Sequence, residues 1–545
     1  MFRSTRTAPR ILSFLLVVAV LPSTLSAQME ETTPRGADEG LGPFDEFVIR
    51  GATYLDGTGA PPIGPVDIVV RGDRIAQIRS VGYPGLPLSE RRLPSDPDHE
   101  IDWTGRWVLP GFVDMHAHTG GVGKAPQAEY VYKLWMGHGI TTSRGVGHGA
   151  LDWSLREAAL AEANEIVAPR MYTYARPGQG SGWNRPIDTP EAAREWVRFI
   201  ADYEVDGQDV DGLKLTAYTP PIMQALVEEA AAQGLGTVAH LAQTGVAEMT
   251  ALEAATLGLD MMTHYYGLFE SMLTDYTIPD YPLDYNYQNE QHRFGEVGRL
   301  WEQSAEPGSE RWNIVMDSML ALGFGIDPTM TIYEASRDVM AAREAEWHDE
   351  YTLPSMADFF QPSRAAHGSY WFYWTTEDEY HWKRFYQKWF QFLNEYKNRG
   401  GIVTTGSDSG FIYKLYGFDY IRELELLREA GFHPIEVVRS ATMYGARELH
   451  APRGLEDQLE FGILREGLKA DMVLVEENPL ENLKVLYGTG AVKLNDETRE
   501  VGRVGGIAYT IKDGIVYDAR QLLADVRAMV AAQKDERGIT EAGSN

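Results

Sequence analysis

The chain has 545 residues, 44% hydrophobic and 23% charged, with a formal net charge of -30 and no cysteine. That length predicts several domains, or one large α/β domain with additions. The acidity argues against nucleic-acid binding and adhesion to anionic lipid, which need basic patches, and the missing cysteine excludes disulfides, thiolate ligands, a Cys nucleophile and a lipidated Cys anchor.

Residues 1–27 carry Arg3, Arg6 and Arg10, then the apolar run Ile11 to Leu21, then the small-residue exit Ser23 to Ala27. This pattern predicts a secretory signal peptide and a periplasmic or extracellular mature protein. The apolar run is short for a membrane span, so no stable membrane anchor is expected. Residues 28–44, rich in Thr, Gly, Pro and acid, are expected to form a flexible linker.

From 45 to 110 the sequence predicts short strands, including Phe47 to Arg50, Val66 to Val70 and Arg74 to Ile78, separated by Gly- or Asp-rich turns. Trp107 to Gly111 then leads into Phe112-Val113-Asp114-Met115-His116-Ala117-His118. On a strand, a period of two puts His116 and His118 on one face, where both imidazoles can reach one metal ion. A lone His-x-His is weak evidence, so the rest of the chain decides.

Between Ile140 and His264, strands alternate with helices, which implies a parallel sheet. Strands are predicted at Gly139 to Arg144, Arg170 to Tyr174, Asp211 to Leu215, Gly236 to His240 and Asp260 to His264. Helices are predicted from Asp152, from Thr189-Pro190, from Thr219-Pro220 to the stop at Gly234, and from Thr244 to Leu257. Lys214, His240 and His264 fall at strand C-termini, 26 and 24 residues apart, about one βα unit per step. In a (β/α)8 TIM barrel those ends converge on one face. A seventh strand is expected at Gly325 to Met330 and an eighth at Gly401 to Asp408.

The barrel is thus placed at 111–448, with insertions at 265–311 and 336–399. Insertions so rich in aromatic residues suit a lid or binding wall, and equally an oligomer interface, so a homo-oligomer is one expectation. Helices Tyr420 to Ala430 and Pro434 to Tyr444 follow. Residues 449–520 return to β patterns and are expected to complete a small β-sandwich with 45–110, before a helix and polar tail at 521–545. The remaining histidines show no spacing signal; His148, just after the second strand, is the exception.

The set His116, His118, Lys214, His240, His264 and Asp408, with Gly406-Ser407-Asp408-Ser409 and the return strand Lys469 to Val473, resembles the binuclear-metal type of the amidohydrolase superfamily. Prolidase-like and imidazolonepropionase-like hydrolases share this layout. The resemblance covers nearly the whole chain after the signal peptide. It implies that His116, His118 and Asp408 bind one divalent metal ion and His240 and His264 a second. It also implies that a carbamylated Lys214 and a hydroxide bridge the two, with Asp408 as the catalytic general base and acid. Zinc suits such nitrogen and oxygen ligands; manganese, cobalt or iron would fit the same set.

The expected function is therefore hydrolysis of an amide bond, in dipeptides or N-acyl amino acids, with a small molecule or peptide as partner. A lactone, other ester or phosphoester would use the same metals. A deaminase is the second reading, against which Lys214 argues, and a non-catalytic secreted scaffold or binding protein the third. Tyr218, Tyr266 and Tyr333 follow predicted strands and are candidate substrate contacts; Arg337 or Lys414 are candidates to pair with a substrate carboxylate.

Overall fold

In a computed structural model of the chain, residues 29–539 are described apart from 91, 147–149, 243–244, 246–247, 275–278, 287, 364–370 and 372. The expected signal peptide and His148 lie outside the described residues. Among those described, no helix is long and apolar enough to cross a membrane.

One short run, Trp107 to Ala117, joins the two parts of the molecule. Strand Trp107–Pro110 pairs in parallel with Phe47–Tyr54 from the N-terminal part and antiparallel with Met472–Val475 from the C-terminal part. Ile507–Lys512 and Ile515–Asp518 extend one edge; Ile63–Arg71 and Arg74–Ser80 extend the other. A β-sandwich was expected here, but these strands form one hydrogen-bonded sheet of eight. The reason is Trp107–Pro110, which pairs on both sides and so merges the halves that two layers would have kept apart. Alternate residues from both chain ends, among them Ile49, Ile68, Val108, Met472 and Ile511, fill one apolar cluster across it.

After Gly111 the chain enters the first strand of a parallel sheet. A Cβ at Gly111 would lie 2.1 Å from Thr141 Oγ1, so only glycine allows this crossing. The sheet has seven strands in spatial order, Phe112–Ala117, Ile140–Gly145, Arg170–Ala175, Gly212–Leu215, Gly236–Ala239, Met261–Thr263 and Gly325–Asp327. Where an eighth strand was expected, residues 402–408 make a single parallel bridge, Ile326 to Val403. Their backbone also bonds to both edges: Thr404 N donates to Ile326 O at 2.9 Å, and Met115 N donates to Thr405 O at 2.9 Å. The result is a nearly closed barrel beside a mixed sheet.

Helix starts follow local capping chemistry. Thr189 Oγ1 accepts from Ala192 N at 3.1 Å, with Pro190 in the first turn, and helix Pro220–Gln233 stops at Gly234, whose φ is 72°. The helix expected from Thr244 instead occupies Ala251–Thr256, because Thr250 and Glu253 form a reciprocal capping box there. The second insertion supplies helix Thr376–Asn398, whose Trp382, Phe385 and Trp389 pack round the Tyr265 ring at 4.9–5.9 Å.

Residues 29–44, expected as a flexible linker, form a strap on the body. Leu41 and Val516 exchange backbone hydrogen bonds at 2.9 and 3.0 Å, and Arg35 N donates to Glu165 O at 2.7 Å. Thr32 bonds the buried Glu157, and Glu39 pairs with Lys133 at 2.6 Å. Polar composition suggested a linker; the partners that fix it lie far along the chain. Helix Ala519–Glu536 closes the structure, burying Leu522, Leu523, Val526 and Val530.

Candidate metal centre

The parallel register brings the histidine-bearing strand ends to one face. His240 N donates to Leu215 O, His264 N to Asp327 O and Asp408 N to His116 O, each at 2.9 Å. The last turn of backbone at several of these ends is unusual: Ala242, His264, Thr329 and Asp408 all have φ between 46° and 66°. Non-glycine residues pay about 1–2 kcal/mol for such a conformation, so the surrounding packing holds it in place.

Asp408 is the hub. Its Oδ1 lies 2.9 Å from His118 Nε2 and 3.7 Å from His116 Nε2, and its Oδ2 lies 3.7 Å from His264 Nε2. His264 Nε2 is also 3.1 Å from His240 Nδ1. Glycine at 406 permits this approach, since a Cβ there would lie 2.5 Å from Asp327 Oδ1 and 2.7 Å from His116 Cβ.

His264 Nδ1 has a hydroxyl partner in Thr329. Thr329 Oγ1 lies 2.8 Å from Pro328 O and 2.5 Å from His264 Nδ1, so it can donate to the carbonyl while accepting from a proton on Nδ1. In that tautomer the Nε2 lone pair faces Asp408 and His240, as a metal ligand requires. Burial, reinforced by nearby cations, holds His116 and His264 well below the ordinary histidine value, and neutral imidazole is the ligating form.

Lys214 is buried, its Nζ 3.3 Å from Thr263 Oγ1. Burial, with the Arg144 guanidinium adding repulsion, lowers its amine to about 7. Below it, Arg144 Nη2 lies 3.3 Å from Asp327 Oδ2, and that carboxylate is 3.6 Å from His116 Nδ1. Burial raises Asp327 to about 6. Asp114 ties the first strand to the Gly-Ser-Asp turn, accepting from His116 N at 3.1 Å, Ser407 N at 3.0 Å and Ser407 Oγ at 2.7 Å.

This donor set fits a divalent cation. Ligand atoms of His116, His264 and Asp408 lie within 4.8 Å of one another. The ligands are nitrogen and oxygen, as zinc and its neighbours prefer.

A cavity of about 650 Å3 opens over the centre, lined by His116, His118, Lys214, His240 and Asp408. Tyr218, Tyr266 and Tyr333 line it too, with the Tyr266 and Tyr333 hydroxyls 2.8 Å apart. Arg337 and Lys414 do not. Arg337 pairs with Glu429 at 2.8 Å, and Lys414 with Glu334 at 2.9 Å and Asp419 at 3.1 Å. The turn Met330–Ser336 carries Tyr333 toward the cavity and Glu334 away from it, so both cations are drawn behind the wall. The cavity's arginines are instead Arg176, just after strand Arg170–Ala175, and Arg293, on helix Glu290–Val297. Sequence reasoning passed over Arg144, Arg176 and Asp327, although each stands within two residues of a barrel-strand end, the same signal that marked Lys214. Arg293 stands outside that register.

No family model and no curated protein matches the chain. Solved structures do. A bottromycin amidohydrolase superposes with a TM-score of 0.60 at 18% identity, over 90% of this chain and 91% of that one. A Xaa-Pro dipeptidase with methionine bound in its active site gives 0.55 at 18%, over 87% and 100%. An A. niger ochratoxinase gives 0.53 at 16%, over 87% and 96%. At these identities the likeness is one of architecture: the chain has the fold of amidohydrolase and prolidase structures across nearly its whole described length.

Proposed function

We propose that this chain is an exported, metal-dependent amidohydrolase that cleaves an amide bond in dipeptides or N-acyl amino acids. The observation that carries the reading is the meeting of three imidazoles on the single carboxylate of Asp408, beneath a cavity of small-molecule size. His116, His118 and Asp408 would hold one divalent ion and His240 and His264 a second, with Lys214 between them. Such ions, when bound, supply Lewis acidity and bring the pKa of water toward neutrality.

The chain's own residues supply the rest. Asp408 takes a proton from the attacking water and returns it to the leaving nitrogen. Burial and the Arg144 charge favour the neutral Lys214 amine, which can take up carbon dioxide as a carbamate, releasing a proton. Thr329 holds the His264 ring by its Nδ1, and the paired Tyr266 and Tyr333 hydroxyls offer hydrogen bonds to a bound substrate.

The test is an assay of the chain from Gln28 onward, supplied with zinc and bicarbonate, against dipeptides and N-acyl amino acids. Amine release by the wild type, and about 100-fold less by Asp408→Asn, supports the reading. No release from any amide by the metal-loaded protein overturns it.

A further inference from the structure

The cavity is a basic island in an acidic protein. Against a net charge of -30, its described lining holds, beside the metal centre's own Lys214 and Asp408, the two cations Arg176 and Arg293 and no further carboxylate. Arg176 is exposed, and its guanidinium hydrogen bond goes to the Val146 carbonyl at 3.4 Å, not to a carboxylate. Arg293 stands on a different wall, with Glu290 one turn away at 3.7 Å. Between them the lining is apolar or aromatic, with Tyr218, Phe294, Ile332 and Phe411.

We infer that the substrate is an N-acylated amino acid with a free carboxylate and a blocked amine, and that Arg176 is the residue that selects the carboxylate. This rests on the amidohydrolase reading and divides the two substrate classes it leaves open. A planar guanidinium pairs a carboxylate through two parallel hydrogen bonds, and a concave site of one sign focuses opposite charge. A free dipeptide would also bring an ammonium group. Arg176, which faces no carboxylate of its own, repels that ammonium, and no carboxylate apart from Asp408 is present among the described lining residues to receive it. An acyl group has no such cost and fits the aromatic wall. In the reaction, water oxygen bonds to the acyl carbon. The C–N bond breaks with its electron pair on nitrogen, and nitrogen takes the proton, giving a carboxylic acid and a free amino acid.

The experiment compares N-acetyl-phenylalanine, glycyl-phenylalanine and N-acetyl-phenylalaninamide, reading cleavage of the bond to the phenylalanine nitrogen. The zinc-loaded wild type should prefer the first over both others in kcat/KM. Arg176→Gln should lower kcat/KM for N-acetyl-phenylalanine about tenfold or more, chiefly through KM, and lower that for the amide far less. Arg176 is exposed, so the change leaves the core intact; Arg176→Lys should recover only part of the loss, because lysine lacks the planar fork. A wild type that cleaves glycyl-phenylalanine better, or an Arg176→Gln that affects acid and amide alike, overturns the inference and leaves the amidohydrolase reading standing. Cleavage of none of the three overturns both.

Discussion

Asp408 Oδ1 lies 2.9 Å from His118 Nε2, although the two residues are separated by almost the whole barrel sequence. They meet because residues 402–408 run beside the first strand, where Asp408 N donates to His116 O. The carboxylate is therefore fixed from both sides, and Asp408→Asn should keep the fold while removing the proton acceptor. Circular dichroism and thermal unfolding should be unchanged, while kcat falls by about 100-fold or more.

Gly406→Ala tests how tightly the turn is built. Its Cβ would come within 2.5 Å of Asp327 Oδ1 and 2.7 Å of His116 Cβ, both fully packed. The turn must shift, so metal affinity should drop and stability should fall by about 1–3 kcal/mol. Metal titration alongside thermal unfolding checks this; unchanged zinc affinity would contradict the role given to the glycine.

The buried group behind Tyr333 gives a pH prediction. Burial alone would raise the Glu334 carboxyl, but the charges of Lys414 and Arg422 beside it hold it well below its ordinary value of 4.5. The folded chain thus stays charged where the unfolded chain takes up a proton. Stability from this group is complete above about pH 4.5 and is lost progressively as the pH falls below it. Lys414→Met leaves buried carboxylates short of a partner and should cost about 3–5 kcal/mol at neutral pH. It should also flatten the acid limb of the Tm profile.

Arg337→Met makes a milder prediction. Arg337 stands outside the cavity but is largely buried, pairing with exposed Glu429 at 2.8 Å and buried Glu334 at 3.4 Å, so the loss should be about 1–3 kcal/mol, in stability alone. Catalytic parameters should stay at wild-type values for every substrate; a selective loss for acidic substrates would return Arg337 to the site.

Much of the architecture was legible because two periods coincide. Alternation on a strand put His116 and His118 together, and the βα step placed Lys214, His240 and His264 at successive strand ends. Those signals are local. Arg337 and Lys414 were misplaced because sequence distance from a strand end does not say which side of a turn a side chain leaves by. Arg293 was invisible for the complementary reason: it comes from an insertion helix, outside the βα register, and reaches the cavity only through tertiary packing. The strap at 29–44 was misjudged because its partners, Glu157, Glu165 and Val516, lie more than 100 residues away.

The central claim is that this set of histidines, lysine and aspartate makes a two-metal amide hydrolase. Its most direct test is to strip the protein with a chelator and follow hydrolysis of an N-acyl amino acid while zinc is added back. The stripped protein should be inactive, and the rate should rise to a plateau at two ions per chain. Full activity without metal, or two bound ions with no hydrolysis of any amide, would contradict it.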